Sequence, residues 1–368
     1  MLTIDALTLG YDGKAVVTDA TFTLAAGEIG SLLGPSGCGK STLLRAIAGF
    51  ERPLHGTVSM DGKPFSTPDS VVEPEHRQIG MVFQDVALFP HIDVGRNIAF
   101  GLRGATKAEQ RRRVAELLEL FGLAGYEERM PHSLSGGEQQ RVALARAMAP
   151  KPKLLLMDEA FSSLDAERRL AIVPEVRRIL KHENMSAILV THDHDEAFAM
   201  ADQVGVMDAG RIHQWDEPHV LYHLPNSKFV AQFVGEGQLI TATAIDGTKL
   251  RSVLGIHSVH RGHNIALGSS VEILVRPDDI VHDHASELMG RIVEISFRGS
   301  HYQYMTLMEN NERLLCIAES HHKHKVGDRV ELVPKLEHLV VFDADGVGTS
   351  YDSTLDTFLK TLSAKPFL

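Results

Sequence analysis

The sequence predicts an α/β protein followed by a smaller domain made of β-strands. Over the first 235 residues, short continuous apolar runs alternate with helical stretches, a pattern typical of a parallel sheet whose strands are buried on both faces. From residue 239 to about 345, shorter segments alternate with turns in the pattern of a small β-barrel. At 368 residues the chain is long enough for two or three domains.

A glycine-rich loop follows a predicted buried strand at residues 28–33, the last of the strands predicted within residues 2–33. Residues 34–42 fit the pattern G-x-x-x-x-G-K-[ST], and an apolar helical stripe that ends at Gly49 comes after them. Glycine lets backbone N–H groups approach phosphate oxygens, and the helix N-terminus adds a partial positive charge. The loop therefore predicts binding of a nucleoside triphosphate, with Lys40 on the β- and γ-phosphates and the Ser41 hydroxyl on Mg²⁺. The candidate phosphate-binding residues are Gly34, Pro35, Ser36, Gly37, Cys38, Gly39, Lys40, Ser41 and Thr42.

Two carboxylates follow a later apolar run at 154–157. Asp158 stands at the carboxyl end of this predicted strand, where open α/β sheets bind ligands, and it is a candidate for holding Mg²⁺ through water. Glu159 comes next and is the candidate general base that polarises the attacking water. Alone, an Asp-Glu pair after a strand would favour an ordinary loop at a helix start. The phosphate-binding loop favours the catalytic interpretation.

Residues 134–141, Leu-Ser-Gly-Gly-Glu-Gln-Gln-Arg, resemble the signature sequence of ATP-binding cassette (ABC) ATPases. Four further motifs of that family match in order, namely an aromatic residue that stacks on adenine, the Q-loop glutamine, the D-loop aspartate and the switch histidine. In this sequence they are Tyr11, Gln84, Asp165 and His192. One departure is Ala160, where close relatives usually have proline, although alanine is common in the wider family. The resemblance covers residues 2 to about 235.

The resemblance implies a P-loop NTPase fold for residues 1–235, with a RecA-like core, an antiparallel β subdomain and a helical subdomain at about 90–150. It implies a homodimer of chains paired head to tail, in which each ATP lies between Lys40 of one chain and the signature of the other. His192 would stabilise the γ-phosphate and position the water, and Gln84 would contact Mg²⁺ and link the nucleotide to a partner subunit. The nucleotide-contacting residues that the resemblance adds are Tyr11, Ser135, Gly136, Gly137 and Asp165.

A second resemblance lies in the C-terminal part of the chain. Residues 274–278, Leu-Val-Arg-Pro-Asp, resemble a recurrent element of the OB-like accessory (TOBE) domain of importer ATPases, such as those for sugars, polyamines, sulfate and ferric iron. It implies an OB-like regulatory domain at 236–346 and a role in import. Apolar residues at helical spacing between 355 and 362 predict that the tail, residues 347–368, is helical.

Composition limits the location and the partners of the chain. A net charge of −11 argues against a general nucleic-acid binder, and two cysteines, Cys38 and Cys316, indicate a reducing cytosol rather than a disulfide framework. No stretch approaches the ~18 apolar residues of a membrane span, and the first residues do not resemble a signal peptide. The resemblance to importer ATPases then implies a peripheral subunit on the cytoplasmic face of the inner membrane. It implies that residues 88–91 contact the integral-membrane permease, where the alternative is an ordinary buried loop, and that a solute-binding protein outside is an indirect partner.

The cargo is inferred by resemblance alone, because no residue of this subunit is expected to contact it. The run at 233–237 and the region before Arg276 resemble ferric-iron importer ATPases most. Polyamine (spermidine or putrescine) importers are the alternative, and sulfate and sugar importers are less similar. Two other classes stay open, a soluble ABC ATPase acting on ribosomes or DNA and a regulator whose barrel binds a transcription factor or a small effector. A histidine-rich stretch at 321–324 favours a solvated loop over a metal site, since no carboxylate or cysteine completes a ligand set.

Overall fold

The computed structural model of the chain describes residues 1–258, 265–282, 286, 288–321, 323–336, 339–343 and 346–351. They form two compact units that divide between residues 218 and 219. The sequence placed this boundary near residue 235. The difference arises because two short helices after residue 217 pack within the second unit.

The first unit contains a six-stranded sheet, a four-stranded antiparallel sheet and helices around them. Its strands are β1 (Leu2–Tyr11), β2 (Lys14–Leu24), β3 (Ile29–Leu33), β4 (His55–Met60), β5 (Lys63–Ser66), β6 (Ile79–Val82), β7 (Leu154–Asp158), β8 (Ser186–Thr191), β9 (Gln203–Asp208) and β10 (Arg211–Asp216). Its α-helices are α1 (Lys40–Ala48), α2 (Val94–Ala99), α3 (Lys107–Leu120), α4 (Gly136–Met148), α5 (Ala166–His182) and α6 (His194–Met200), and short 3-10 helices lie at Pro74–His76 and Pro131–Ser133.

The six-stranded sheet has the order β10-β9-β3-β8-β7-β6, and every neighbouring pair except β10–β9 runs parallel. β3 and β7 are buried along their whole length, as expected of strands covered on both faces of a parallel sheet. Parallel strands end at the same edge of a sheet. The loops after β3, β7 and β8 therefore leave the sheet side by side.

Side chains along β7 alternate between two hydrophobic cores. Leu154 and Leu156 pack in the core that contains α1, whereas Leu155 and Met157 pack in the core that contains α4 and α5. Consequently α1 and α4 lie on opposite faces of the sheet. Together with the antiparallel sheet β2-β1-β4-β5 and the helices α2, α3 and α4, this arrangement confirms the predicted α/β class with antiparallel and helical subdomains.

The described residues of the second unit form a closed barrel of five strands and a six-stranded sheet. The helices at its start are α7 (Pro218–His223) and α8 (Lys228–Val234), and the strands are β11 (Gln238–Asp246), β12 (Lys249–Ser252), β13 (Gly255–Ser258), β14 (Ser270–Val275), β15 (Ile280–His282), β16 (Met289–Phe297), β17 (His301–Leu307), β18 (Arg313–Glu319), β19 (Arg329–Pro334), β20 (Leu339–Phe342) and β21 (Gly348–Tyr351), with a 3-10 helix at Pro277–Asp279. The barrel order is β15-β18-β17-β16-β19, and the sheet order is β13-β12-β11-β14-β20-β21. The predicted small barrel is thus confirmed, and a separate sheet adjoins it. None of the helices among the described residues has the length and apolar character needed to span a membrane.

Arg276 connects α7 and α8 to the strands of the second unit. It is 2% exposed, and its guanidinium donates hydrogen bonds to the backbone carbonyl oxygens of Tyr222, Ala231 and Gly235 at 2.8–3.2 Å. The guanidinium carbon also lies 4.3 Å from the centroid of the Tyr222 ring. One buried cation therefore supplies hydrogen-bond donors to carbonyl oxygens of both α7 and α8. This explains why the two helices belong to the second unit.

The tail begins as a strand and not as the expected helix. Gly348–Tyr351 forms β21, which pairs antiparallel with β20, Thr349 lying opposite Val341. Pairing satisfies the backbone groups of β20 that would otherwise remain open at the edge of the sheet. The apolar residues on which the helical prediction depended, between 355 and 362, lie outside the described residues.

Replacing the Arg276 side chain should destabilise the second unit. Arg276→Ala leaves buried carbonyl oxygens without donors, so we expect a loss of about 3 kcal/mol in that unit. Hydrogen exchange of the full chain would report it as faster exchange in β14 with unchanged exchange in β3. The exposed Arg298 provides the control variant Arg298→Ala. Unchanged exchange in β14 of the Arg276 variant would show that the guanidinium does not hold this unit together.

Candidate nucleotide-binding site

Glycine residues shape the loop between β3 and α1. Gly39 precedes the helix with a φ of 105°, in the region that favours glycine. At Gly34 a Cβ atom would lie 2.1 Å from the carbonyl oxygen of Met207, so no side chain fits there. The loop therefore runs close against β9 and leads directly into the N-terminus of α1, a position suited to an anion.

Lys40 is the first residue of α1 and is 5% exposed. Its Nζ donates hydrogen bonds to the carbonyl oxygens of Gly34 at 2.7 Å and Pro35 at 2.8 Å. In the part of the chain that the structure describes, no carboxylate forms an ion pair with this ammonium group. A buried cation that only neutral groups contact favours the binding of an anion beside it.

Ser41 and Asp158 meet although they are distant in sequence. The Ser41 hydroxyl donates a hydrogen bond to Oδ1 of Asp158 at 2.8 Å. Asp158 is the last residue of β7 and is 8% exposed. Hydroxyl and carboxylate oxygens are ligands that Mg²⁺ prefers, so the residues present fit a divalent cation next to the phosphate-binding loop.

Glu159 follows Asp158 with a positive φ of 46°. Its N–H donates to the carbonyl oxygen of Val190 at 3.0 Å, and its own carbonyl oxygen accepts a hydrogen bond from the Ser162 hydroxyl at 2.8 Å. Its Oε1 lies 3.8 Å from Nδ1 of His192. Contacts on both sides hold this left-handed backbone, and they keep the carboxylate at the sheet edge beside His192.

Gln84 follows the strand that neighbours β7. Val82 pairs with Met157, so the residues after Val82 leave the sheet next to Asp158 and Glu159. Gln84 itself is exposed. Its amide group therefore belongs to the same edge of the sheet as the acidic pair.

Tyr11 lies at the end of β1 and is 45% exposed. Partial burial and a hydrogen bond with Glu51 raise the pKa of its phenol, and a hydrogen bond with Thr42 opposes this shift. These contacts place the ring beside the end of the phosphate-binding loop. An exposed aromatic ring in that position offers a face on which a base can stack.

The signature residues form the N-terminus of α4. Ser135 caps the helix, since its Oγ accepts from the N–H of Glu138 while the Glu138 carboxylate accepts from the N–H of Ser135 at 2.7 Å. A Cβ atom at Gly136 would meet nothing within 4 Å, although glycine within a helix costs up to about 1 kcal/mol relative to alanine. No contact within the described chain therefore requires glycine at position 136. Asp165 caps α5 in the same way, by accepting from the N–H of Arg168 at 2.9 Å.

The structure brings one set of the predicted residues together and keeps another set apart. At the carboxyl edge of the sheet lie Lys40, Ser41, Asp158, Glu159 and His192. Ser135, Gly136 and Gly137 are separate, because α4 packs on the opposite face of the sheet from α1. Among the described residues, no hydrogen bond joins the signature to the phosphate-binding loop.

Sequence reasoning missed a group of paired charges next to His192, of which Glu196 is buried. Arg169 of α5 forms ion pairs with Asp193 and Glu196, at the start of α6. The available signal was the Asp-x-x-Glu pattern at 193–196, which is typical of a helix start, and Asp193 does cap α6. Nothing in the sequence connected this pattern to Arg169, which lies 24 residues before Asp193.

Two family models match this chain. The model of the ABC transporter family matches residues 17–162, and that of the TOBE domain matches residues 273–342. The first match contains the phosphate-binding loop, the signature and the acidic pair. The second contains the barrel strands from β15 to β19.

Similar proteins cover most of the chain. The spermidine/putrescine import ATP-binding protein PotA of Rubrobacter xylanophilus is 40% identical over 334 residues, 88% of this chain and 86% of the relative. The Fe(3+) ions import ATP-binding protein FbpC 2 of Pectobacterium atrosepticum is 43% identical over 281 residues, 76% of this chain and 80% of the relative. This chain belongs to the ATP-binding subunits of ABC importers. It is therefore an ATPase with a C-terminal TOBE domain.

A solved structure agrees with the fold of this importer ATPase. It is described as the dimeric structure of a post-hydrolysis state of the ATP-binding cassette MJ0796 bound to ADP and Pi. It is 29% identical to this chain, covers 59% of this chain and 98% of that one, and superposes with a TM-score of 0.52. The predicted P-loop NTPase core with an OB-like C-terminal domain is confirmed.

Proposed function

We propose that this importer ATPase works as a head-to-tail homodimer on the cytoplasmic face of the inner membrane and energises the uptake of ferric iron. The observation that carries the ATP-hydrolysing part of the proposal is the 2.8 Å hydrogen bond between Ser41 and Asp158, beside the buried Lys40. This contact joins the phosphate-binding helix and the acidic end of β7 into one site. The site fits a phosphate and a divalent cation together.

Lys40 and the backbone N–H groups of the loop bind the phosphates. Lys40 exchanges the carbonyl oxygens of Gly34 and Pro35 for β- and γ-phosphate oxygens, which offer it charge-assisted hydrogen bonds. Mg²⁺ would be held by Ser41 and Gln84 directly and by Asp158 through water. When bound, it would neutralise charge on the phosphate oxygens. Tyr11 stacks on the adenine.

Glu159 and His192 act on the water and on the γ-phosphate. The Glu159 carboxylate accepts a proton from the attacking water, and the backbone contacts to Val190 and Ser162 hold it in place for that step. His192 lies 3.8 Å from the carboxylate and donates a hydrogen bond to the γ-phosphate, which positions the water. Both side chains project from the same edge of the sheet as Lys40.

A second copy of the chain completes the site. Because α1 and α4 lie on opposite faces of the sheet, the signature of one chain is remote from its own Lys40. The open space around Gly136 fits the close approach of another molecule to the backbone there. The MJ0796 structure, which resembles this chain, is described as dimeric and bound to ADP and Pi. Pairing by a twofold axis gives two equal sites, each with Ser135, Gly136, Gly137 and Asp165 of the opposite chain.

An exposed aromatic surface after Gln84 provides the contact with the integral-membrane permease. The Phe89 ring lies 4.4 Å from that of Phe100, and the Arg146 guanidinium lies 5.4 Å from the Phe89 centroid. Phe83 and Phe100 are both exposed. An apolar patch of this kind is typical of a surface that receives a partner helix. The solute-binding protein would deliver cargo to the permease and stay on the opposite side of the membrane.

Two relatives support two cargo classes. The FbpC 2 relative, named for Fe(3+) import, has 43% identity over 76% of this chain and supports ferric iron. The PotA relative, named for spermidine/putrescine import, has 40% identity over 88% of this chain and makes polyamines the second candidate.

The base assignment predicts a specific kinetic change. Glu159→Gln keeps the shape of the side chain and removes its basicity, so we expect unchanged ATP affinity and a fall in turnover of about 10²–10⁴-fold. A fluorescent ATP analogue would measure the affinity and phosphate release would measure the turnover. Glu119→Gln, at an exposed position of α3, is the matched control and should behave as wild type. Wild-type turnover in Glu159→Gln would exclude Glu159 as the base.

The cargo assignment predicts the outcome of an uptake experiment. A strain that lacks this chain should regain uptake of labelled ferric iron with the wild-type chain and not with Glu159→Gln, because import requires hydrolysis. Labelled putrescine would be measured in parallel. Loss of putrescine uptake with unchanged iron uptake would exclude iron and assign the importer to polyamines.

A further inference from the structure

One guanidinium contacts two loops of the nucleotide-binding site. Nη2 of Arg169 donates a hydrogen bond to the carbonyl oxygen of Leu164 at 3.1 Å, in the loop before α5. Nη1 donates to Oδ2 of Asp193 at 2.6 Å, immediately after His192. Nε lies 3.4 Å from Oε1 of Glu196. The guanidinium of Arg169 therefore contacts the loop before α5, the loop that carries His192, and α6, which follows that second loop.

The loop that carries His192 depends on the same cluster. The Thr191 hydroxyl donates to Glu196 at 2.5 Å and accepts from the N–H of Asp193 at 3.0 Å, so both neighbours of His192 are held. The Glu196 side chain is 3% exposed. Burial raises the pKa of its carboxyl group, and the hydrogen bond from Thr191 and the charge of Arg169 oppose that shift. Arg169 thus places a positive charge 3.4 Å from this buried carboxyl group.

Packing does not fill the space around this cluster. A cavity of about 160 Å³ lies between α5 and α6 and is lined in part by Arg169, Asp193 and Glu196. At this end of the two helices, Arg169 crosses the gap with its hydrogen bond to Asp193 and its ion pair with Glu196.

We infer that Arg169 is a positioning residue for ATP hydrolysis, which links the loop of Leu164 and Asp165 to His192. The inference rests on the proposed function, in which Asp165 faces the other chain and His192 contacts the γ-phosphate. When the second chain closes on Asp165, the displacement of that loop reaches the backbone at His192 through one rigid guanidinium. Hydrolysis is thereby coupled to the presence of the second chain.

Arg177 offers a matched control on the same helix. Its Nη2 donates to Oδ1 of Asp202 at 2.7 Å, and its Nη1 donates to the carbonyl oxygen of Met200. These contacts also connect α5 to the end of α6, with an arginine that is similarly half-buried. They do not involve Leu164 or the residues next to His192. Loss of either arginine removes polar contacts between α5 and the region of α6, and only Arg169 contacts the loops beside the site.

The test compares Arg169→Gln with Arg177→Gln in the full chain. We expect Arg169→Gln to lower kcat for ATP by about 10- to 100-fold with an unchanged KM, because a displaced catalytic group costs rate and not binding. Arg177→Gln should keep the wild-type kcat, and thermal unfolding would check that both variants are folded at the temperature of the assay. Equal kcat values for the two variants would overturn the inference, since they would show a structural role for both arginines.

A second comparison separates the inference from the proposed function. If Arg169 acts through His192, then Arg169→Gln should change the residual single-turnover rate of a His192→Ala chain by less than about twofold. A full effect of Arg169→Gln in that background would overturn the inference and leave the proposed function intact. Wild-type turnover of His192→Ala alone would instead contradict the role of His192 in the proposed function, and the inference would fall with it.

Discussion

The carboxyl edge of the parallel sheet determines where every reacting group lies. β3, β7 and β8 are buried on both faces and run parallel, so Lys40, Asp158 and His192 reach one edge from three distant parts of the sequence. The same sheet separates α1 from α4. One constraint therefore brings the phosphate-binding loop and the acidic pair together within a chain and keeps the signature apart from them. In the proposed dimer, the signature of a second chain completes the site.

Sequence reasoning succeeded where a local pattern has a single structural solution. The short apolar run at β7 is typical of a strand covered on both faces, and the glycine-rich loop between β3 and α1 fixed the position of Lys40. The fold, and the position of Lys40 and Ser41 beside Asp158, followed from these short segments. The signature and the switch histidine were found by resemblance, because no local chemistry reveals their role.

The remaining features depend on contacts between segments that are distant in the sequence. Arg169 is one of several arginines on α5. Only the folded structure shows that its side chain contacts Leu164 and Asp193. Arg276 lies in the sequence element at 274–278, which resemblance identified. The sequence did not show that its hydrogen bonds to carbonyl oxygens of α7 and α8 make both helices part of the second unit. Helical spacing in the tail gave no indication that its first residues pair with β20 as a strand.

The central claim is that the phosphate-binding loop and the signature meet only between two chains. Two variant chains would be made, both with Glu159→Gln and with Cys38 and Cys316 replaced by serine. One also carries Ser36→Cys and the other Ser135→Cys. The two chains would be mixed and treated with a short bifunctional maleimide. The account predicts an ATP-dependent product that contains one chain of each kind, and no such product from either chain alone. For a chain that carries both substitutions, a crosslink confined to the single chain would contradict the account, as would the absence of any crosslink at saturating ATP.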